Sequence, residues 1–124
     1  MSKTFTDVAV FMTAAGQSIP PFNANRSAQS DLYMNLIQEE FQELMDANIE
    51  QNDAEICDAC FDLMWVIVGY MKSRGWDCEE IWDEGAKSNL SKIDPMTLRV
   101  KKREDGKILK PEGWKPPDFA KFVK

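Results

Sequence analysis

Leu32-Tyr-Met-Asn-Leu36-Ile37-Gln-Glu39-Glu40-Phe41-Gln-Glu43-Leu44-Met45, followed by Glu55-Ile-Cys57-Asp58-Ala-Cys60-Phe61-Asp62-Leu63, is the stretch whose reading decides the fold. In the first segment Leu32, Leu36, Ile37, Phe41, Leu44 and Met45 recur with the 3.6-residue period of a helix that buries one stripe. Ser27 or Ser30 can cap its start, and it runs to about Asn48. Asn52 or Asp53 caps the next helix, which passes through Trp65, Val66, Ile67 and Val68 to Arg74 and stops at Gly75. The link between Glu43 and Glu55 leaves room only for a tight turn, so the two helices should form an antiparallel hairpin.

On the amino-terminal side, Thr4 to Ala15 carries Phe5, Val8, Ala9 and Met12 at helical spacing and ends at Gly16. Gln17 to Asn25 holds Pro20, Pro21 and two asparagines, a composition for an irregular connection. On the other side, Asp77 can cap a fourth helix through Ile81, Trp82 and Ala86, ending between Asn89 and Lys92. After Pro95, Leu98-Arg-Val100 and Ile108-Leu109 bracket Glu104-Asp105-Gly106, a hairpin signal. The last stretch, with Pro111, Gly113, Pro116 and Pro117 around Trp114, cannot be regular and should wrap over a neighbouring surface. The expected fold is all-α: one domain over residues 1–124, with an antiparallel four-helix bundle over about 3–92 and an irregular, hairpin-bearing tail over 93–124.

With 124 residues and 44% hydrophobic content, the chain can build a modest core that would gain from association with further copies. The longest weakly charged run, Ala59 to Met71, contains Asp62 and is too short to span a bilayer. The start, Met-Ser-Lys-Thr-Phe-Thr-Asp, lacks the pattern of a secretory signal, so a cytoplasmic location is expected. Net charge is −6, with bases gathered from Lys87 to Lys124 and acids from Asp31 to Glu84, which argues against a nucleic-acid polymer as partner. Cys57, Cys60 and Cys78 read as buried, reduced thiols. Histidine is absent, which removes Ser-His-Asp and Cys-His hydrolases, HExxH proteases and Glu-x-x-His di-iron sites.

Acid–base or metal chemistry must therefore rest on carboxylates. Glu39, Glu40 and Glu43 fall within little more than one turn of the second helix, and Glu40, flanked by Leu36 and Leu44, lies in its interior stripe. Glu55, Asp58 and Asp62 share a face of the third helix. Acids at helical spacing usually form a solvated face. Two inward acidic faces with few bases nearby are costly without a compensating cation, and oxygen ligands alone point to Mg²⁺, with Mn²⁺ as a substitute, over zinc.

Glu40-Phe-Gln-Glu43 and Glu55-Ile-Cys-Asp58 resemble the ExxE and ExxD pair of the all-α NTP pyrophosphohydrolases of MazG-like type. Lys87-Ser-Asn89-Leu-Ser-Lys92 resembles their SNMSK segment, and Asp105-Gly-Lys-Ile-Leu-Lys110-Pro and Trp114-Lys-Pro-Pro-Asp resemble the tail of small phage and bacterial members, so the likeness spans most of the chain. One departure is Ala59-Cys-Phe-Asp62, where the wider family often has a glutamate-rich ELxD; Asp62 is accordingly expected to support the site without binding metal directly.

The resemblance implies magnesium-dependent hydrolysis of a nucleoside triphosphate between its α and β phosphates, in a homodimer or homotetramer. Glu40, Glu43, Glu55 and Asp58 would be the metal ligands, and Glu39 the base for the attacking water or else an exposed helix acid. Asn89 and Lys92 would meet phosphate or sugar, where spacing alone equally fits a cationic C-terminal turn, and Lys107 and Lys110 would act likewise from the tail. Phe11, Gln17 and Asn23 are the candidates for base recognition, while Trp65, Trp76 and Trp82 read as core or interface residues. Two rivals stand beside this reading: a non-catalytic, cation-stabilised interaction module, and a hydrolase of phosphoribosyl-ATP, ranked lower because the SNLSK and tail segments look like those of nucleotide-pool enzymes.

Overall fold

Two serines start the longest helix. In the computed structural model, which describes residues 2–124, the Ser27 hydroxyl accepts from the Ser30 backbone N–H at 3.1 Å and the Ser30 hydroxyl accepts from the Ser27 N–H at 2.8 Å. Two donors left over at a helix N-terminus are thus satisfied reciprocally. Ser27→Ala should cost about 1 kcal/mol of stability, read by urea unfolding; an unchanged midpoint would mean that Ser30 and solvent replace the cap.

Four helices follow from such signals: α1 (Lys3–Ala14), α2 (Ala28–Glu50), α3 (Asp53–Ser73) and α4 (Cys78–Leu90), with a short 3-10 turn at Ala120–Phe122. The fold is all-α, and the helices pair as a bundle. Only Gln51 and Asn52 separate α2 from α3. Gln51 takes the left-handed conformation at φ 56°, and Asn52 turns its carbonyl oxygen to the Glu55 N–H at 3.2 Å, so one short turn ends α2 and caps α3. No helix of the described residues is long and apolar enough to cross a membrane.

The chain forms two compact units, one reaching to Glu79 and one from Glu80 to Lys124. The core of the first contains Val8 and Met12 of α1, Tyr33 of α2, Val66 and Val68 of α3, and Cys78, with Leu36, Ile37, Leu63 and Trp65 packed around them. Tyr33 also donates to Gln17 Oε1 at 2.6 Å. The connection after α1 is irregular but anchored. Arg74 Nε donates to the Ala24 carbonyl at 2.8 Å, and its guanidinium lies 4.9 Å from the Trp76 ring centre. Trp76 Nε1 donates to Asn23 Oδ1 at 2.8 Å.

In the second unit the chain reverses at Asp105 and Gly106. Arg103 N donates to Lys107 O and Leu109 N to Lys101 O, both at 2.8 Å, around one antiparallel bridge between Lys102 and Ile108. The expected hairpin is therefore a turn with a single bridge, and no strand forms among the described residues. The proline-rich end wraps over α4: Trp114 Nε1 donates to Ser88 O at 3.0 Å, and Asp118 N and Lys121 Nζ both reach the Glu84 carboxylate at 2.9 Å. Those two donors hold the Glu84 carboxyl below its ordinary pKa.

Two expectations about burial are corrected. Leu32, Phe41 and Met45, which the helical period puts in the interior stripe of α2, are exposed by 49%, 52% and 37%; the stripe read from the sequence is wider than the surface that the rest of the chain covers. Cys57 and Cys60, read as buried, are exposed, and only Cys78 is buried. They lie in an apolar segment, but on the side of α3 turned to solvent.

Candidate metal centre

The α2–α3 pairing builds the site. Glu40 and Glu43 stand one turn apart on α2, and Asp62 comes from the middle of α3. One carboxylate oxygen from each lies within 4.8 Å of the other two. Glu40 is half-buried, and its Oε2 is a buried oxygen with no hydrogen-bond partner. Such an orphaned acceptor is costly in a folded protein. Among the described residues no lysine or arginine forms an ion pair with any of the three; Lys3–Asp7, Arg103–Asp105 and Lys121–Glu84 pair elsewhere.

The electrostatics agree with the geometry. The Glu40 carboxyl is pushed up to about 7, first by burial, then by the adjoining Glu43 carboxyl, and then by the charges of Asp62 and Asp58. Asp62 is also raised, by burial and then by Asp58 and Glu43. Asp58 thus acts on both without sharing the tight cluster. The donor set consists only of oxygens, one of them buried and unpaired, which fits a hard divalent cation.

The remaining candidate residues fall into separate places. Glu39 is exposed beside Glu40 on α2, and Glu55 is exposed in the first turn of α3, outside the tight carboxylate group. In the second unit, Lys92 Nζ donates to Asn89 Oδ1 at 3.2 Å, and Lys92 and Lys110 lie 5.0 and 4.9 Å from the Trp114 ring centre. Lys107 is apart from these, in the turn, where its N–H donates to Asp105. Of the base candidates, Phe11 presents an exposed ring, while the Gln17 and Asn23 oxygens accept from Tyr33 and Trp76 and so help anchor the loop.

Asp62, expected from the sequence only to support the site, lies in the tight carboxylate group itself. Two further features were not singled out from the sequence. Trp114 gathers Lys92 and Lys110 over its ring, and Gly69 meets the Tyr33 ring so closely that an added Cβ would lie 2.2 Å from it.

Linked carboxylates around a buried orphan oxygen, carried by a helical hairpin, define an all-α protein with a candidate divalent-metal centre. The sequence model of the phosphoribosyl-ATP pyrophosphohydrolase family matches residues 8–89, which takes in most of α1, all of α2 and α3, and nearly all of α4. The chain belongs to that family and is by class a pyrophosphohydrolase acting on acid anhydrides. The search of curated proteins returned no match. The family is that of the rival ranked lower from the sequence, and it shares the all-α pyrophosphohydrolase superfamily with the MazG-like proteins.

The raised Glu40 pKa makes a prediction with a definite sign. In the unfolded chain this carboxyl ionises near its ordinary value of 4.5; in the metal-free fold it does so near 7. Between those values the folded state holds the extra proton, so metal-free stability falls as pH rises through the window. Cation binding needs the anion and strengthens over the same range. Melting at pH 5.5 and 8, with EDTA or Mg²⁺, should show a larger magnesium-induced rise in Tm at pH 8. An equal rise at both values would place the cation away from Glu40.

Proposed function

We propose that the protein is a magnesium-dependent hydrolase of nucleoside triphosphates, releasing the monophosphate and pyrophosphate, and that it acts in nucleotide-pool control. The single observation that carries this is the buried, unpartnered Glu40 oxygen beside Glu43 and Asp62. Glu40, Glu43 and Asp62 would hold the cation, with Asp58 and Glu55 completing its surroundings. A Mg²⁺ ion held there would supply positive charge to offset that of the phosphates and of the leaving pyrophosphate.

The chain's own groups supply the rest. Water adds its oxygen to the α phosphorus as the bond from that phosphorus to the bridging oxygen breaks; the electron pair departs with pyrophosphate. The proton released by the water passes to a carboxylate, for which Glu39 is the proposed acceptor. Asn89, Lys92, Lys107 and Lys110 are the proposed phosphate and sugar contacts, supported by the placing of Lys92 and Lys110 over Trp114 and of Asn89 against Lys92. Exposed Phe41, Met45, Met64 and Ile67 support a homodimer or homotetramer, to be read from solution mass.

The family match favours a second reading, in which phosphoribosyl-ATP is the substrate. Pyrophosphate release from a panel of ribo- and deoxyribonucleoside triphosphates and phosphoribosyl-ATP, with Mg²⁺ and with EDTA, separates the two. Turnover of phosphoribosyl-ATP alone would move the assignment to it. No turnover of any by the folded protein would leave a cation-stabilised interaction module.

A further inference from the structure

Beyond the carboxylates, α3 carries two aromatic rings on the same side. With about 100° of rotation per residue, Asp58, Asp62, Phe61 and Trp65 fall within an arc of roughly 100°. Trp65 lies about 20° from Asp58, two turns further along. The rings of Phe61 and Trp65 are 5.8 Å apart between centroids, inclined at 45°. Phe11 of α1 meets Trp65 edge-on, at 5.5 Å and 82°.

This cluster is not covered core. Phe11 is 54% exposed and Phe61 53%, while Trp65 is half-buried beneath them. Exposed aromatic surface costs free energy in water unless something flat and apolar covers it. The position narrows what that is. The cluster starts beside the carboxylates, so its occupant carries, or is attached to, groups drawn to a metal-bearing acidic site. The other large apolar side chains exposed on α3, Met64 and Ile67, lie on a different arc, about 120° and 180° from Asp58. They are aliphatic or thioether surface of the kind that suits a second copy of the chain. The side next to the carboxylates is purely aromatic.

We propose that Phe61 and Trp65, braced by Phe11, form a stacking shelf for the base of the substrate, assigning specificity for a nucleotide over other triphosphate esters to α3. The inference rests on the nucleoside-triphosphate reading above for its substrate. The shelf offers ring faces and no hydrogen-bonding edge apart from the indole N–H, so it favours a base over no base and discriminates little among bases.

The experiment compares a nucleoside triphosphate with methyl triphosphate, which keeps the phosphates and lacks the base. In the wild type kcat/KM should favour the nucleotide. Phe61→Ala should reduce that preference roughly 10- to 100-fold, mainly through KM, similarly for purines and pyrimidines, and Phe61→Trp should restore it. Equal loss on both substrates, or a changed solution mass with the preference intact, overturns the shelf and returns Phe61 to the subunit surface. A second readout does not depend on turnover: with Mg²⁺, a nucleoside monophosphate should quench indole emission in the wild type and much less in Trp65→Phe. Failure to hydrolyse either triphosphate would overturn the nucleoside-triphosphate reading alone, whereas absence of quenching in the folded wild type would overturn the shelf.

Discussion

Glu40→Gln is expected to lower pyrophosphate release on the order of 10³-fold or more and, in EDTA, to raise the melting temperature. The loss follows from the anion's role: an amide keeps the shape of the side chain but neither neutralises a cation nor shares it with Glu43 and Asp62, and a metal ion is worth several kcal/mol to the transition state. The gain in stability follows from the buried Oε2, which has no partner and is crowded by Glu43, Asp62 and Asp58. Removing an uncompensated charge relieves that repulsion in the absence of metal. The two effects have opposite signs, which separates loss of the site from loss of the fold. With Mg²⁺ the wild type should gain stability and the variant should not. Wild-type turnover by the variant would remove Glu40 from the centre, and a lower melting temperature in EDTA would show that the carboxylate is paired in the fold.

The helical hairpin was legible because each of its features is local. Ser27, Asn52 and Gly75 mark ends, and Leu36, Glu40 and Leu44 mark one face. The observed helices depart from the expected ends by one or two residues, as at Glu50, where α2 outlasts Asn48. Burial was less legible. The segment from Ala59 to Met71 is apolar nearly all round, so its periodicity does not say which side is covered, and Cys60 and Met64 are on the open side.

The site shows the same division. That Glu40 points inward is a property of one helix and follows from its neighbours. That Asp62 joins it, and that Glu55 lies outside the tight group, depends on the register of α2 against α3, which no spacing within either helix encodes. The base candidates differ for another reason. Gln17 and Asn23 were chosen for their polar edges, but a loop rich in proline leaves few backbone hydrogen bonds of its own. Side-chain amides contribute to anchoring it, Gln17 to Tyr33 and Asn23 to Trp76.

The register has its own determinant, and Gly69→Val should expose it. Tyr33 precedes Glu40 by seven residues and Gly69 follows Asp62 by seven, so the two contacts lie two turns apart on antiparallel helices, roughly 10 Å along the axis. At Gly69 an added Cβ would lie 2.2 Å from Tyr33 Cε1 and 2.6 Å from Cζ. The ring has nowhere simple to go, being 3% exposed with its hydroxyl held by Gln17. Alanine in place of a mid-helix glycine gains about 1 kcal/mol of helix propensity, whereas overpacking a core costs roughly 1–3 kcal/mol. The steric effect should therefore win even for Gly69→Ala, and Gly69→Val should lose roughly 3 kcal/mol in urea unfolding. Parting the helices there also loosens the carboxylate group two turns away, so the magnesium concentration that gives half-maximal stabilisation should rise. Shortening the opposing side chain, in a Gly69→Ala, Tyr33→Leu double variant, should recover more stability and metal affinity than the sum of the single changes allows, because the two residues share one contact. Strict additivity, or a Gly69→Val protein with wild-type stability and an unchanged magnesium midpoint, would show that the carboxylates are brought together by something other than this notch.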